Sequence, residues 1–208
     1  MQEREWTVQI VCLDFEGVII PEIWVGLAEI TGIEDLKLTT QEISDYDKLM
    51  KHRLDVMDKH KLTINDIQQV IDKLQPLDGA KAFLDEVRKD FQVVILSDTF
   101  YEFIQPILGK LNYPTIFCHR LEIEDSGRIA NWKLRMADHK RHAVKAFHAL
   151  NYKVYASGDS YNDTGMLSEA DHGYFFCAPE NVVNDFPQFP LVTDYDTLHK
   201  KFKEADGS

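Results

Sequence analysis

Apolar residues recur along the chain in short runs of strand length: VQIVCL at 8–13, VVIL at 93–96, VYA at 154–156 and YFFC at 174–177. Each run is nearly continuous rather than alternating, which suits parallel strands covered on both faces. Between the runs the period lengthens to that of a helix. Ala80, Phe83, Leu84, Val87 and Phe91 share one stripe, and Ala143, Val144, Phe147 and Leu150 share another. Strand alternating with helix predicts right-handed βαβ units in an α/β fold, a doubly wound, Rossmann-like parallel sheet.

The stretch between the first two strands is too long for one crossover and reads as helical from Pro21 to Pro76. A helix over about 22–30 stops at Thr31-Gly32, where glycine suits a C-terminal cap. Two more follow at roughly 45–60 and 64–74, the second opened by a variant capping box from Thr63 to Asp66. These helices interrupt a βαβ crossover, so residues 21–76 are expected to form a small helical cap over the strand ends. Residues 1–20 and 77–208 then make the Rossmann-like catalytic core. Short alternating runs over 119–135, around Ser126-Gly127, predict a hairpin. PENV and FPQFP near the C-terminus predict a turn and an irregular loop against the site rim, and the tail after Phe202 is expected to fray.

At 208 residues and 44% hydrophobic content the chain can bury one full core and carry a smaller subdomain. The net charge of -12 argues against nucleic acid or an anionic membrane as partner. It would also repel a phosphate ester, so such a substrate needs local positive charge. Cys12, Cys118 and Cys177 are odd in number, widely spaced and set in apolar runs, which predicts buried thiols in a reducing compartment. The charged start MQEREWTVQI and the lack of any apolar stretch of membrane-spanning length lead to the expectation of a soluble cytoplasmic protein.

Candidate chemistry gathers at strand ends. Asp14 directly follows VQIVCL, where a carboxylate can act as a nucleophile. Glu16, two residues on, points to the same side of an extended chain and is a candidate general acid/base, its pKa pushed up by neighbouring carboxylates. Ser97 closes the second run, with Asp98 and Thr99 as helix N-caps, a combination that can cradle phosphate. Asp138 or His139 caps the next helix, which puts Lys140 in its first turn, where the macrodipole disfavours a cation unless an anion lies opposite. The hexapeptide GDSYND, Gly158 to Asp163, follows an apolar run and delivers two carboxylates and the amide of Asn162 to one rim. Asp14, Asp159 and the Glu16 carbonyl would suit Mg²⁺, with Asp163 behind them orienting a water or Lys140. Each motif alone also fits a plain reading as a polar turn, a capped βα junction or a surface lysine. His52, His60, His119 and His199 share no ligand spacing and read as surface or packing residues, and Phe100, Tyr101 and Phe103 as helix packing.

Taken together and in order, LDFEGV, ILSDT, Lys140 and GDSYND resemble the haloacid dehalogenase-like phosphohydrolases with a helical cap after the first motif. The resemblance implies Asp14 as nucleophile, Glu16 as general acid/base, Ser97 and Lys140 on the phosphoryl group, and Mg²⁺ at the last motif. Glu16 departs from the aspartate usual there and is one methylene longer. Within the family, FEGVIIPEIW, LSDTFYEF and PENVVNDFPQFP look like the phosphoserine phosphatases that also transfer phosphate to homoserine. That likeness implies phosphoserine as substrate, Glu22 for its ammonium, Arg53 for its carboxylate, and a possible homodimer. Asp98, Thr99 and Asn162 would border the substrate. The rivals are a phosphatase of another small phosphate monoester and a phospho-accepting, receiver-like signalling module.

Overall fold

The structure, a computed structural model, describes residues 8–39, 42–43 and 46–206. The charged N-terminus, residue 45 of the second expected helix and the last two residues lie outside that range. In chain order the elements are β1 (Val8–Leu13), α1 (Ile23–Thr31), α2 (Tyr46–Lys59), α3 (Ile64–Ile71), α4 (Ala80–Asp90), β2 (Gln92–Phe100) and α5 (Tyr101–Leu108). They continue with β3 (Ile116–Ile123), β4 (Ile129–Lys133), α6 (His139–Ala149), β5 (Tyr152–Gly158), α7 (Thr164–Glu169), β6 (His172–Phe176), α8 (Glu180–Asp185), β7 (Leu191–Val192) and α9 (Tyr195–Asp206).

Seven strands form one sheet in the order β4-β3-β2-β1-β5-β6-β7. All neighbours are parallel except β4, which runs antiparallel to β3. The predicted doubly wound sheet and hairpin are both present. Alternation along β1 sends Ile10 and Cys12 into one buried cluster with Val144, Met166 and Phe175. Val11 and Leu13 enter the opposite cluster, under α4 and α9. Both faces are dry, which is why the strands read as continuous apolar runs. The strand order reverses between β1 and β5, and a crevice at such a switch point is the usual ligand site of an open α/β sheet.

Helices α1 to α3 fill the long excursion. Gly32 closes α1 at φ +72°, donating its N–H to Ala28 O, and Thr63 and Asp66 form the expected capping box of α3. Apolar residues of this segment, Met50, Val56 and Ile67 among them, belong to the same buried cluster as Phe103 and Ile104 of α5. Trp24 meets Phe103 edge-on at 5.3 Å, and Gln68 Nε2 donates to Glu102 O at 2.7 Å. On the far side Ile64 N donates to Gly127 O at 2.9 Å, and Arg128 pairs with Asp58 through both carboxylate oxygens.

Several expectations fail locally. β2 runs on through Asp98 and Thr99 to Phe100, so neither residue caps α5. The cause is tertiary: after a register shift, pairing with β3 resumes at Phe100 and His119. Asp138 holds the N-cap position of α6 without a side-chain cap bond. Leu150 is 67% exposed because α6 ends one residue earlier. Cys177 is exposed, since β6 stops at Phe176 and a φ of +51° turns the next side chain outward. PENV opens a short helix, α8, instead of a plain turn. The expected fraying directly after Phe202 is not seen: α9 runs on to Asp206, held by the fully buried Phe202 ring against Tyr155, Tyr174 and Phe91. No helix among the described residues is long and apolar enough to cross a membrane.

Candidate active site

Asp14 leaves β1 with its N–H donating to Ser157 O at 2.9 Å, so it stands beside the end of β5 and is 4% exposed. The loop after β5 curls back on itself to meet it. Asp163 accepts through Oδ2 from the backbone of Asp159 at 3.0 Å and of Ser160 at 3.1 Å, and it is fully buried. Gly158 is required for this curl, since a Cβ there would lie 2.5 Å from Asp163 Cβ. Lys140, from the first turn of α6, donates to Asp14 Oδ1 and to Asp163 Oδ1, each at 2.7 Å. The anion expected opposite this lysine is therefore a pair of buried carboxylates.

Asp14, Asp159 and Asp163 bring one oxygen each to within 4.8 Å of one another. Burial pushes Asp14 well above the ordinary carboxylate value, and Asp163 and Asp159 push it further against the pull of Lys140. Burial, then Asp163 and Glu22, raise Asp159 to about 7. Burial would lower the Lys140 ammonium, but Asp14, Asp163 and Asp98 hold it well above its ordinary value. One lysine among these carboxylates leaves surplus negative charge. An all-oxygen donor set of this kind fits a hard divalent cation.

Glu16 does not join that cluster. Its Oε2 accepts from Ile23 N at 2.9 Å, supplying the cap of α1 that Glu22, in the N-cap position, does not. Its carboxyl also contacts Glu22 and the Thr99 hydroxyl, and burial followed by Glu22 raises it to about 8. Arg53 reads locally as a surface residue, yet it is 8% exposed. Its guanidinium lies over Trp24 at 4.4 Å and donates to Leu38 O at 3.0 Å, while Nε has no partner. Burial lowers it to about 10, with Glu16, Tyr46 and Glu22 opposing.

Ser97 is buried at the rim, where its Oγ accepts from Thr99 N at 3.2 Å. Asp98 takes Asn162 Nδ2 on Oδ2 at 2.7 Å, so two of the expected substrate contacts hold each other. Burial would raise Asp98, but Lys140 and the His119 and His139 imidazoles hold it well below the usual carboxylate range. A cavity of about 390 Å³ beside Lys140 is walled by Tyr46, Asp98, His119, Met136, His139 and Asn162. In the sequence His119 reads as a surface or packing residue and His139 only as a possible helix cap; the adjacency of His139 to Lys140 is the one signal of a place at the site.

A family profile described as haloacid dehalogenase-like hydrolase matches residues 8–171, from β1 through the GDSYND loop. The chain belongs to the haloacid dehalogenase-like hydrolases. Membership of this hydrolase family sets aside the receiver-like signalling module. The chain is 57% identical over 199 residues to "Phosphoserine phosphatase ThrH" of Pseudomonas aeruginosa, covering 96% of this chain and 97% of that one. It is 55% identical over 203 residues to a "Phosphoserine phosphatase" of Pseudomonas syringae pv. tomato, covering 98% and 86%. Among solved structures, a phospho-aspartyl intermediate analogue of phosphoserine phosphatase superposes with a TM-score of 0.76 at 18% identity, covering 94% of this chain and 99% of that one. A substrate-bound phosphoserine phosphatase gives 0.74 at 17% identity, covering 96% and 99%. At such identities the two structures establish the shared hydrolase fold.

Proposed function

We propose that this hydrolase transfers the phosphoryl group of O-phospho-L-serine through an aspartyl phosphate on Asp14 to water, to homoserine, or to both. The observation that carries the reading is the Lys140 ammonium held at 2.7 Å from Asp14 within a carboxylate cluster at the switch point of the sheet. The names of the two bacterial relatives supply the substrate.

An oxygen of Asp14 attacks phosphorus as the bond to the serine oxygen breaks. Glu16, which keeps its proton at neutral pH, gives that proton to the departing oxygen. In the second half Glu16 takes a proton from water or from the homoserine hydroxyl, which attacks phosphorus and frees Asp14. Lys140 and the Ser97 hydroxyl neutralise and orient the phosphoryl oxygens. Arg53, with its unpartnered Nε–H, receives the substrate carboxylate, and Glu22 receives its ammonium. Thr99 and Asn162 border the bound substrate. Asp14, Asp159 and the Glu16 carbonyl would hold Mg²⁺, backed by Asp163. When bound, the ion supplies charge to offset the carboxylates and the phosphoryl oxygens. Residues 21–76 act as the cap that excludes water, over a core of 1–20 and 77–208. Its reduced, buried Cys12 and Cys118 suit a cytoplasmic enzyme, which would work alone or as a homodimer.

The test is a product assay with phosphoserine and Mg²⁺, with and without homoserine, following inorganic phosphate and O-phosphohomoserine together, with Asp14→Asn as the blank. Phosphohomoserine alongside phosphate supports transfer to both acceptors. Phosphate alone makes the protein a plain phosphatase. Neither product, with turnover of another monoester, removes phosphoserine as the substrate.

A further inference from the structure

Two histidines that take no part in the chemistry above converge on Asp98, and Arg135 fixes their protonation. The Arg135 backbone N–H donates to His119 Nδ1 at 3.1 Å. Its guanidinium, which can only donate, lies 3.1 Å from His139 Nδ1. Both Nδ1 atoms therefore present lone pairs, and each neutral ring carries its proton on Nε2. Those two Nε2–H groups face a single oxygen, Asp98 Oδ1, at 3.0 Å from His139 and 3.4 Å from His119. The rings cross edge to face at 4.5 Å, and each is at most 3% exposed.

The same three side chains have the spacing of a metal site. A histidine that ligates through Nε2, however, donates its Nδ1 proton to an acceptor. Here both Nδ1 atoms face N–H donors instead. The arrangement is a hydrogen-bonded clamp, and its far side reaches the reacting groups. Asp98 Oδ2 accepts from Asn162 at 2.7 Å and lies 3.5 Å from Lys140 Nζ. Both carboxylate oxygens are thus engaged inside the protein, which gives Asp98 a different task from the substrate contact expected of it.

We infer that His119 and His139 are positioning residues for phosphoryl transfer: as neutral Nε2–H donors they lock the Asp98 carboxylate, which in turn sets Lys140 and Asn162 at the phosphoryl site. This rests on the proposed aspartyl-phosphate chemistry but not on phosphoserine as the substrate. Phosphoryl transfer depends on placement and charge more than on covalent help from the protein, so a displaced lysine slows the chemical step.

The experiment has two arms on the full-length, Mg²⁺-supplied protein. Long-range ¹H–¹⁵N correlation spectra at neutral pH read the ring tautomers directly. Both His119 and His139 should be neutral with the proton on Nε2, and an Nδ1–H tautomer in either overturns the inference whatever the activity. In the second arm, turnover is measured with both p-nitrophenyl phosphate and phosphoserine. His139→Phe should lower kcat about tenfold or more with KM little changed. His139→Gln, which retains an N–H at that reach, should recover most of the loss. In an Asp98→Asn background, His139→Phe should cost nothing further. Undiminished kcat in His139→Phe, or losses that simply add in the double variant, overturn the inference. If His139→Phe does not fold, His139→Gln against Asp98→Asn still decides, since the first should stay near wild type and the second should not. Wild-type turnover of p-nitrophenyl phosphate without turnover of phosphoserine removes the substrate and leaves the clamp fully testable.

Discussion

Gly17 lies directly against the carboxylate of Asp159: a Cβ on Gly17 would sit 2.5 Å from Asp159 Cγ, and its φ is +78°. Position 17 is therefore glycine for two reasons, the left-handed backbone and the absence of a side chain where Asp159 must stand. Gly17→Ala should cost ~1–2 kcal/mol of stability from the backbone alone. It should also displace Asp159 and raise the Mg²⁺ concentration needed for half-maximal activity at least about tenfold. A Mg²⁺ titration of turnover checks this; an unchanged midpoint would remove Asp159 from the cation site.

The carboxylate cluster makes stability depend on pH in a direction opposite to that of ordinary surface acids. Asp159 rises from 3.8 to about 7 on folding, and Asp14 also rises. Between those two values the folded state holds more protons than the unfolded one, so stability falls as pH increases. For Asp159 the penalty is absent below about 4 and complete above about 7, and Asp14 adds to it in the same direction. Melting in EDTA should show Tm falling across that window. The Tm gain on adding Mg²⁺ should be small at pH 5 and larger at pH 8, because the ion displaces the protons. A Mg²⁺ gain independent of pH would contradict the cluster as the binding site.

Glu16, raised to about 8, is protonated at neutral pH and fit to act first as an acid. The kcat/KM profile should decline as pH rises through about 8. Glu16→Gln should lose about 10²–10⁴-fold in turnover and abolish that limb. Retention of the limb in the variant would assign it to another group.

Arg53 has a buried guanidinium with a free Nε–H, and Trp24 holds its plane. Arg53→Ala should reduce kcat/KM on phosphoserine about 10–100-fold, the worth of a hydrogen bond to a charged group. On p-nitrophenyl phosphate, which has no α-carboxylate, the loss should be small. Equal losses on both esters would make Arg53 a structural residue.

What could be read in the sequence follows the range of the forces involved. β1, the stripe of α4 and the Thr63–Asp66 box are local, and periodicity or a three-residue spacing reveals them. The motif order brought Asp14, Lys140, Asp159 and Asp163 into view because each sits at the end of a regular element. The end of β2 was not legible, since it depends on renewed pairing with His119 across a register shift. The contact of Glu16 with Ile23 is equally hidden, because nothing in FEGV indicates that its carboxylate turns to a helix start seven residues on. Arg53 is buried by Trp24 and the Leu38 carbonyl, which no local pattern announces. His119 and His139 share no spacing because their meeting point, Asp98, lies on a third element.

The central place of β1 has a consequence for biosynthesis. A ribosome delivers Asp14 well before the strand that completes its pairing, β5, and before the partners Lys140, Asp159 and Asp163, the first of them 126 residues further on. Until then the nascent chain carries an apolar strand with one edge unsatisfied and an acid without its counter-charge, a natural client for chaperones. The reactive centre thus appears only after β5 and the loop behind it have been made, and no fragment ending short of β5 can gain activity early.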